Sequence, residues 1–187
     1  MRAGLPLAGS CFPYRFTVHG SAVILPPHLA DAAASDLGAT LVELEACEAY
    51  RIALGVPRGG VDFAYGDAFP HEADMDQLNG VDFDKGCYVG QEVVSRIEHR
   101  ARARSRIVPV AYDEFAPEDG VPVMAGERAV GTMGSAARGR GLAMLRLDRA
   151  AEALADGATL SAGGVAIRLV KPAWARFAFP GEATAVE

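Results

Sequence analysis

The residues with the clearest capacity for chemistry lie together in the segment Lys85-Gly86-Cys87-Tyr88-Val89-Gly90-Gln91-Glu92. Apolar residues recur every four positions at Val89, Val93 and Ile97, which predicts a helix that begins near Tyr88. Cys87 would then lie in the first helical turn, where free backbone N–H groups and the helix dipole favour an anion. With Lys85 close by, we expect a lowered thiol pKa and a working thiol at Cys87.

Charged residues of opposite sign flank this segment. Downstream, every second residue from Arg100 to Arg106 is arginine, which predicts an extended strand with one cationic face. That face could bind an anion, or it could balance the acidic loop upstream, and the sequence leaves both interpretations open. That loop carries the carboxylates Asp62, Asp67, Glu72, Asp74, Asp76, Asp82 and Asp84. Most of them are expected on the solvated surface, with Glu72 as the exception.

A helix over residues 40–54 is expected to precede the acidic loop. Thr40 and Glu43 have the spacing of a capping box, and a wide apolar face follows, on which Cys47 would fill the core. Arg51 lies three residues after Glu48, which indicates an exposed ion pair on the helix surface. Upstream, residues 16–25 indicate a hairpin or a bent strand around His19-Gly20, and residues 28–36 indicate a short helix.

The second half of the chain has the pattern of a small antiparallel β-barrel. Short apolar strands separated by turn residues are predicted over residues 107–112, 121–124, 129–135, 141–147 and 165–170. Residues 148–154 suggest one or two helical turns. We place a domain boundary near residue 105.

Composition narrows the possible classes of protein. The chain has 187 residues, half of them hydrophobic, so it can bury a core. Its net charge of −6 argues against a general nucleic-acid binder. The sequence contains no run of about 18 apolar residues, so no transmembrane helix is predicted. Cys11, Cys47 and Cys87 do not have the spacing of a metal-binding pattern, so we expect no metal site. No signal peptide is recognised, and with three widely spaced cysteines we expect a reducing, cytoplasmic location.

The segment of residues 85–92 resembles the signature K-G-C-Y-x-G-Q-E of the YgfZ-type folate-binding proteins. These are relatives of the aminomethyltransferase, or T-protein, of the glycine cleavage system, and they support iron–sulfur proteins. Residues 50–57, Asp62 and Pro70-x-Glu72 resemble further family motifs, while residues 131–135 and Pro172-x-Trp174 resemble the barrel domain of the family. The resemblance implies an α+β chain with a T-protein-like folate-binding domain over residues 1–104 and a β-barrel domain over residues 105–187.

The resemblance also implies tetrahydrofolate as a cofactor. Glu72 matches the glutamate that lies at the pteridine in the superfamily, and the basic run could bind the glutamate tail of folate. T-proteins usually carry a second glutamate where this chain has Ala53, which argues against transferase activity. The implied site has Cys87 and Lys85 as its chemical groups, and its folate-binding residues are Arg51, Asp62, Glu72, Gly86, Tyr88, Gln91, Glu92 and Arg104.

Three functions follow from this reasoning. The first is a folate-binding accessory protein for iron–sulfur cluster assembly or repair, which would affect tRNA modification indirectly and act with client proteins or cluster carriers rather than as a conventional enzyme. The second is a folate-dependent aminomethyltransferase-like enzyme. The third is a truncated domain, because the first segment of the family is expected to be missing; self-association or a second chain would then complete it. Membrane and direct nucleic-acid partners are not expected.

Overall fold

The computed structural model describes residues 13–15, 21–23, 25–100 and 103–181. The chain forms two compact units, residues 1–47 and residues 48–187. The domain boundary predicted near residue 105 stays a prediction. Within the described ranges, each helix is too short or too polar to cross a lipid bilayer.

The first unit contains a small hairpin and short helices. Strands β1 (Pro13–Arg15) and β2 (Ser21–Val23) pair antiparallel, with Pro13 opposite Val23. The predicted strand and turn of residues 16–20 lie outside the described residues. A short 3₁₀ turn (Pro27–Leu29) leads into helix α1 (Ala30–Leu37), which ends at Gly38 in a left-handed conformation.

Helix α2 (Leu44–Ala53) is shorter and less buried than its sequence pattern predicts. It begins four residues after Thr40, so the predicted cap at Thr40 is wrong. Ala49 and Ile52 are buried, whereas Leu44 is 71% exposed and Cys47 is exposed as well. The assignment of Cys47 to the core is therefore wrong, because only the last turns of α2 pack against the rest of the second unit.

The second unit is built around a closed antiparallel barrel, which confirms the predicted fold class. Its strands follow one another around the barrel in the order β3, β6, β5, β4, β7 and β8, and β8 closes on β3. Their bounds are β3 (Ser105–Ala111), β4 (Pro122–Ala125), β5 (Arg128–Ala137), β6 (Arg140–Arg146), β7 (Leu160–Ala162) and β8 (Val165–Leu169). The sequence pattern did not predict β7, which has three residues between turns.

The barrel encloses the main hydrophobic core. Val108, Val110, Val123 and Leu145 are completely buried there. Helix α4 (Leu147–Ala155) follows β6 and adds Ala150 and Ala153 to the same core, so the predicted helical turns are confirmed as a helix.

The long connection from α2 to the barrel lies against the barrel wall and positions the candidate site. The Ile107 N–H donates to the Glu72 carbonyl at 3.0 Å, and the Trp174 indole donates to the Leu54 carbonyl at 2.9 Å. Ile52 packs with Ile107 in a small second core. Helix α3 (Gln91–Arg100) follows this connection and ends shortly before β3.

Candidate functional site

Cys87 lies in an exposed loop rather than in a helix. Helix α3 begins at Gln91, so the predicted helix-terminal position of Cys87 is wrong. The reason is Gly90, whose φ of 87° is left-handed and lies outside the conformation of a right-handed helix. Gly86 has a φ of 92° as well, so the thiol lies between two backbone positions that favour glycine. The loop therefore presents the thiol to solvent.

The neighbours of Cys87 form an accessible surface. The Lys85 ammonium lies 5.2 Å from the centre of the Tyr88 ring, a cation–π distance, so these two predicted site residues do meet. Val89 is fully exposed and Phe83 is 37% exposed. Cys87 is therefore accessible, and an exposed apolar residue lies two positions after it in the chain.

Arg51 is enclosed by acceptors from its own chain. Its Nη1 donates to the Asp62 carboxylate at 2.8 Å and to the Val56 carbonyl, and its Nη2 donates to the Ser135 hydroxyl at 2.8 Å. Its Nε and Nη2 also donate to Glu48 at 3.1 Å. Because the side chain is 14% exposed and its N–H donors are used, the simple exposed pair predicted with Glu48 is wrong.

Asp62 joins the connection to strand β5. One carboxylate oxygen accepts from Arg51 and from the Arg58 N–H at 2.8 Å, and the other accepts from the Ser135 N–H at 2.8 Å and the Ser135 hydroxyl. A Cβ at Gly134 would lie 2.6 Å from Asp62 Oδ1, so only glycine allows this approach. Asp62 and Ser135 thus fix the wall of the barrel, and Arg51 is held on them.

Glu72 occupies a turn of the connection. Its carboxylate accepts from the Phe69 N–H at 2.9 Å, in the manner of a helix cap. The residue is partly exposed, and its carbonyl is bound by the Ile107 N–H of the barrel. Its role at a pteridine stays a prediction.

A second ion-pair cluster, which the sequence did not predict, joins the connection to strand β3. Arg106 Nη1 donates to Asp74 at 3.0 Å, and both Nη atoms donate to Asp76 at 2.8 Å. The Phe177 ring lies 4.5 Å from the guanidinium carbon. For Arg106 the structure therefore favours charge balance with the acidic loop over an exposed anion site.

Burial sets the proton affinities in this cluster. Desolvation raises the pKa of Asp74 to about 8, although Arg106 opposes this shift. Burial also acts to raise the pKa of Asp76, but hydrogen bonds from Arg106 and Gln77 outweigh it and lower that pKa. Burial disfavours the charged form of Arg106, but its two carboxylate partners raise its pKa. The expectation of a solvated surface is wrong for Asp62 and Asp74, which are buried.

The remaining predicted residues lie at the edges of these features. Gln91 and Glu92 form the first turn of α3, and Glu92 is exposed. Arg104 is exposed just before β3 and lines a cavity of about 1020 Å³. The predicted cationic strand is wrong over residues 100–106, because α3 runs to Arg100 and Arg106 points into the protein; Arg102 lies outside the described residues.

The structure therefore brings together only some of the predicted site residues. Arg51 meets Asp62, and Lys85 meets Tyr88, in two different parts of the second unit. The assignment of the ten residues to a folate or thiol site stays a prediction. The sequence signal that could have found Arg106 as an interior residue is its place inside an apolar strand.

Comparison with known proteins identifies the barrel. Residues 104–177 match the family model described as CAF17, C-terminal beta-barrel domain. This range runs from the residue before β3 to beyond β8, so the match covers all six strands of the barrel in the second unit. Its resemblance to the YgfZ type in particular stays a prediction.

Similar curated proteins carry one name. The chain is 49% identical over 70 residues to "Iron-sulfur cluster assembly factor IBA57 homolog, mitochondrial" of Neurospora crassa. These aligned residues cover 36% of this chain and 16% of that protein. It is 37% identical over 112 residues to "Iron-sulfur cluster assembly factor IBA57, mitochondrial" of Mus musculus, and this alignment covers 57% of this chain and 31% of that protein. The chain thus spans less than a third of the length of these relatives.

These names also correct one expectation. The relatives from Neurospora crassa, Mycosarcoma maydis and mouse are all named mitochondrial proteins. The expected cytoplasmic location is therefore wrong. It rested on the cysteine pattern, which indicates a reducing environment but does not distinguish one reducing compartment from another.

Proposed function

We propose that this chain takes part in the assembly or repair of iron–sulfur clusters, with Cys87 as its working thiol and with mitochondria as its setting. The observation that carries the proposal is the exposed Cys87 in a loop fixed by two left-handed glycines. The names of the relatives, iron–sulfur cluster assembly factors, support the same role. A thiolate is the ligand that iron–sulfur clusters take most often in proteins.

A single thiol cannot hold a cluster, because clusters generally need several protein ligands. Cys87 would therefore supply one ligand while a client or carrier protein supplies the others. The thiolate would bond to a cluster iron as another ligand leaves, and the thiol proton would pass to solvent. The exposed Val89, two residues after the thiol, would be covered by that partner.

Replacing Cys87 by serine tests this role. In cells that lack the endogenous protein, we expect C87S to leave the activity of a 4Fe–4S client enzyme at the level of the deletion strain, because serine is a poor ligand for cluster iron. Cys47→Ser is the matched control, since Cys47 is also an exposed thiol, and we expect it to restore client activity. Full client activity with C87S would exclude Cys87 as the working group. An effect on tRNA modification would follow from a cluster-containing modifying enzyme.

We further propose tetrahydrofolate as a ligand of this chain, with Glu72 as a pteridine contact. The support is the match of Pro70-x-Glu72 and its position on the barrel wall, together with the partial exposure of the carboxylate. A carboxylate can accept from the N–H and amino groups of a pteridine ring.

Calorimetric titration with tetrahydrofolate measures this contact. We expect saturable binding to the unmodified chain and at least about tenfold weaker binding to Glu72→Ala, because hydrogen bonds to a charged group contribute about 1.5–3 kcal/mol. Glu72→Gln keeps an acceptor for the Phe69 N–H and separates loss of charge from loss of the turn. Equal affinity in all three proteins would remove Glu72 from the site, and no binding to the unmodified chain would contradict the folate proposal.

A further inference from the structure

We propose that His71, Asp76 and Glu98 form a binding site for a divalent transition-metal ion, a function that goes beyond the cluster-assembly role and is independent of it. One imidazole nitrogen and one oxygen from each carboxylate lie within 4.8 Å of one another. The three residues come from the connection and from helix α3. We call them the His71 cluster.

The state of His71 is the first argument. The side chain is 2% exposed, and its Nε2 lies 3.1 Å from Glu98 Oε2. Its Nδ1 is buried and has no hydrogen-bond partner among the described residues. A buried polar atom without a hydrogen-bond partner lowers stability and is rare in native proteins. The imidazole nitrogen that lies against the Glu98 carboxylate is Nε2, so His71 offers a buried ring nitrogen to a set of two carboxylates that a metal ion could join.

The carboxylates provide the second argument. Asp76 is 4% exposed and is held by both Nη atoms of Arg106, so its orientation is fixed in the way that outer partners fix metal-binding carboxylates. Glu98 is 39% exposed on the surface of α3 and can move by a rotamer change to shorten the ligand distances. One fixed and one adjustable carboxylate suit an ion that enters from solvent.

The surroundings leave room for further ligands. His71, Asp76 and Glu98 all line the cavity of about 1020 Å³, so water can complete the coordination sphere. One nitrogen and two oxygen ligands suit Mn²⁺, Fe²⁺ or Zn²⁺ better than Ca²⁺, which takes oxygen ligands. The nearby charge of Arg106 weakens cation binding, so we expect moderate rather than tight affinity.

Mn²⁺ is the probe that tests the site. It prefers oxygen and nitrogen ligands, so the exposed thiols of Cys47 and Cys87 compete little for it. We expect the electron paramagnetic resonance signal of free Mn²⁺ to fall on addition of the full chain, with saturable binding. Glu98→Gln should weaken this binding about tenfold or more.

The control variant is Asp148→Asn, which removes a carboxylate that lines the same cavity but lies outside the His71 cluster. We expect it to change Mn²⁺ affinity by less than about twofold, because exposed charges are screened. Absence of saturable binding, or equal weakening by the two variants, would overturn the proposal. His71 would then be a buried structural residue that contacts Glu98.

A second readout does not depend on Mn²⁺ affinity. Zn²⁺ should shift the ring-proton resonances of His71 in the unmodified chain, and the His71→Gln chain, which lacks these resonances, identifies them. Circular dichroism shows whether the His71→Gln chain is folded, and Glu98→Gln tests the site if it is not. Ring resonances of His71 that ignore Zn²⁺ would contradict the proposal.

Discussion

Arg106→Met is expected to lower the free energy of unfolding by about 3–5 kcal/mol, since removing one partner of a buried ion pair leaves the other uncompensated. Arg106 and Asp76 are 6% and 4% exposed, and Asp74 is completely buried. The substitution would leave the Asp76 carboxylate and the Asp74 carboxyl without their donor. Urea unfolding followed by circular dichroism measures the loss.

Arg168→Met is the matched control for this experiment. Arg168 also lies on a barrel strand and also binds a carboxylate through both Nη atoms, with distances of 2.6 and 3.0 Å to Asp113. Its side chain is 62% exposed and that of Asp113 is 73% exposed. Such surface pairs contribute about 0–1 kcal/mol to the free energy of unfolding. Since both arginines bind a carboxylate through two nitrogens, a difference between the two variants reports the effect of burial.

A double variant, Arg106→Met with Asp76→Asn, sharpens the result. Removing the Asp76 charge together with the Arg106 charge should recover part of the lost stability, because buried ion pairs can be replaced by uncharged groups at little cost. Equal losses for Arg106→Met and Arg168→Met, or no recovery in the double variant, would contradict the assignment of Arg106 to a buried cluster.

The barrel could be predicted from the sequence because its signal is local. Apolar strands of four to ten residues between glycine-rich turns gave five of the six strands near their observed bounds. Strand β7 has three residues, Leu160–Ala162, and so short a segment has no measurable alternation. Local pattern therefore predicts the barrel but not each of its members.

The buried charges could not be predicted, because their partners are distant in sequence. Arg106 binds Asp74 across 32 residues, and nothing in the alternation of arginines indicates which carboxylate turns inward. Strand β3 is buried along nearly its whole length, so its alternate positions do not define a solvent face. The regular spacing of arginines was therefore misleading, since it was interpreted as one exposed surface.

The segment around Cys87 shows a different limit. Val89, Val93 and Ile97 have helical spacing, yet Val89 is fully exposed and precedes the helix. Gly90 interrupts the pattern by its backbone conformation, which hydrophobic spacing does not report. The sequence pattern thus placed Cys87 in a helical turn, whereas the structure places it in an exposed loop.

Asp62→Ala is expected to lower the free energy of unfolding by about 3–5 kcal/mol, because it removes the acceptor that serves Arg51, Arg58 and Ser135 together. The Asp62 side chain is completely buried, and Arg51 is 14% exposed. Urea unfolding again gives the measurement. Asp67→Ala, an exposed carboxylate of the same connection, should change stability by about 0.5 kcal/mol or less.

A double-mutant cycle over Asp62 and Arg51 separates a structural from a ligand-binding role for this pair. If the pair holds the connection on β5, the cycle should give a coupling free energy of about 0.5–3 kcal/mol in the ligand-free chain. Folded Arg51→Lys should then bind tetrahydrofolate within about twofold of the unmodified chain, since the donors of Arg51 already serve internal acceptors. A large loss of folate affinity with unchanged stability would instead assign Arg51 to the ligand. The coupling free energy and the folate affinity together therefore decide whether Arg51 stabilises the fold or binds tetrahydrofolate.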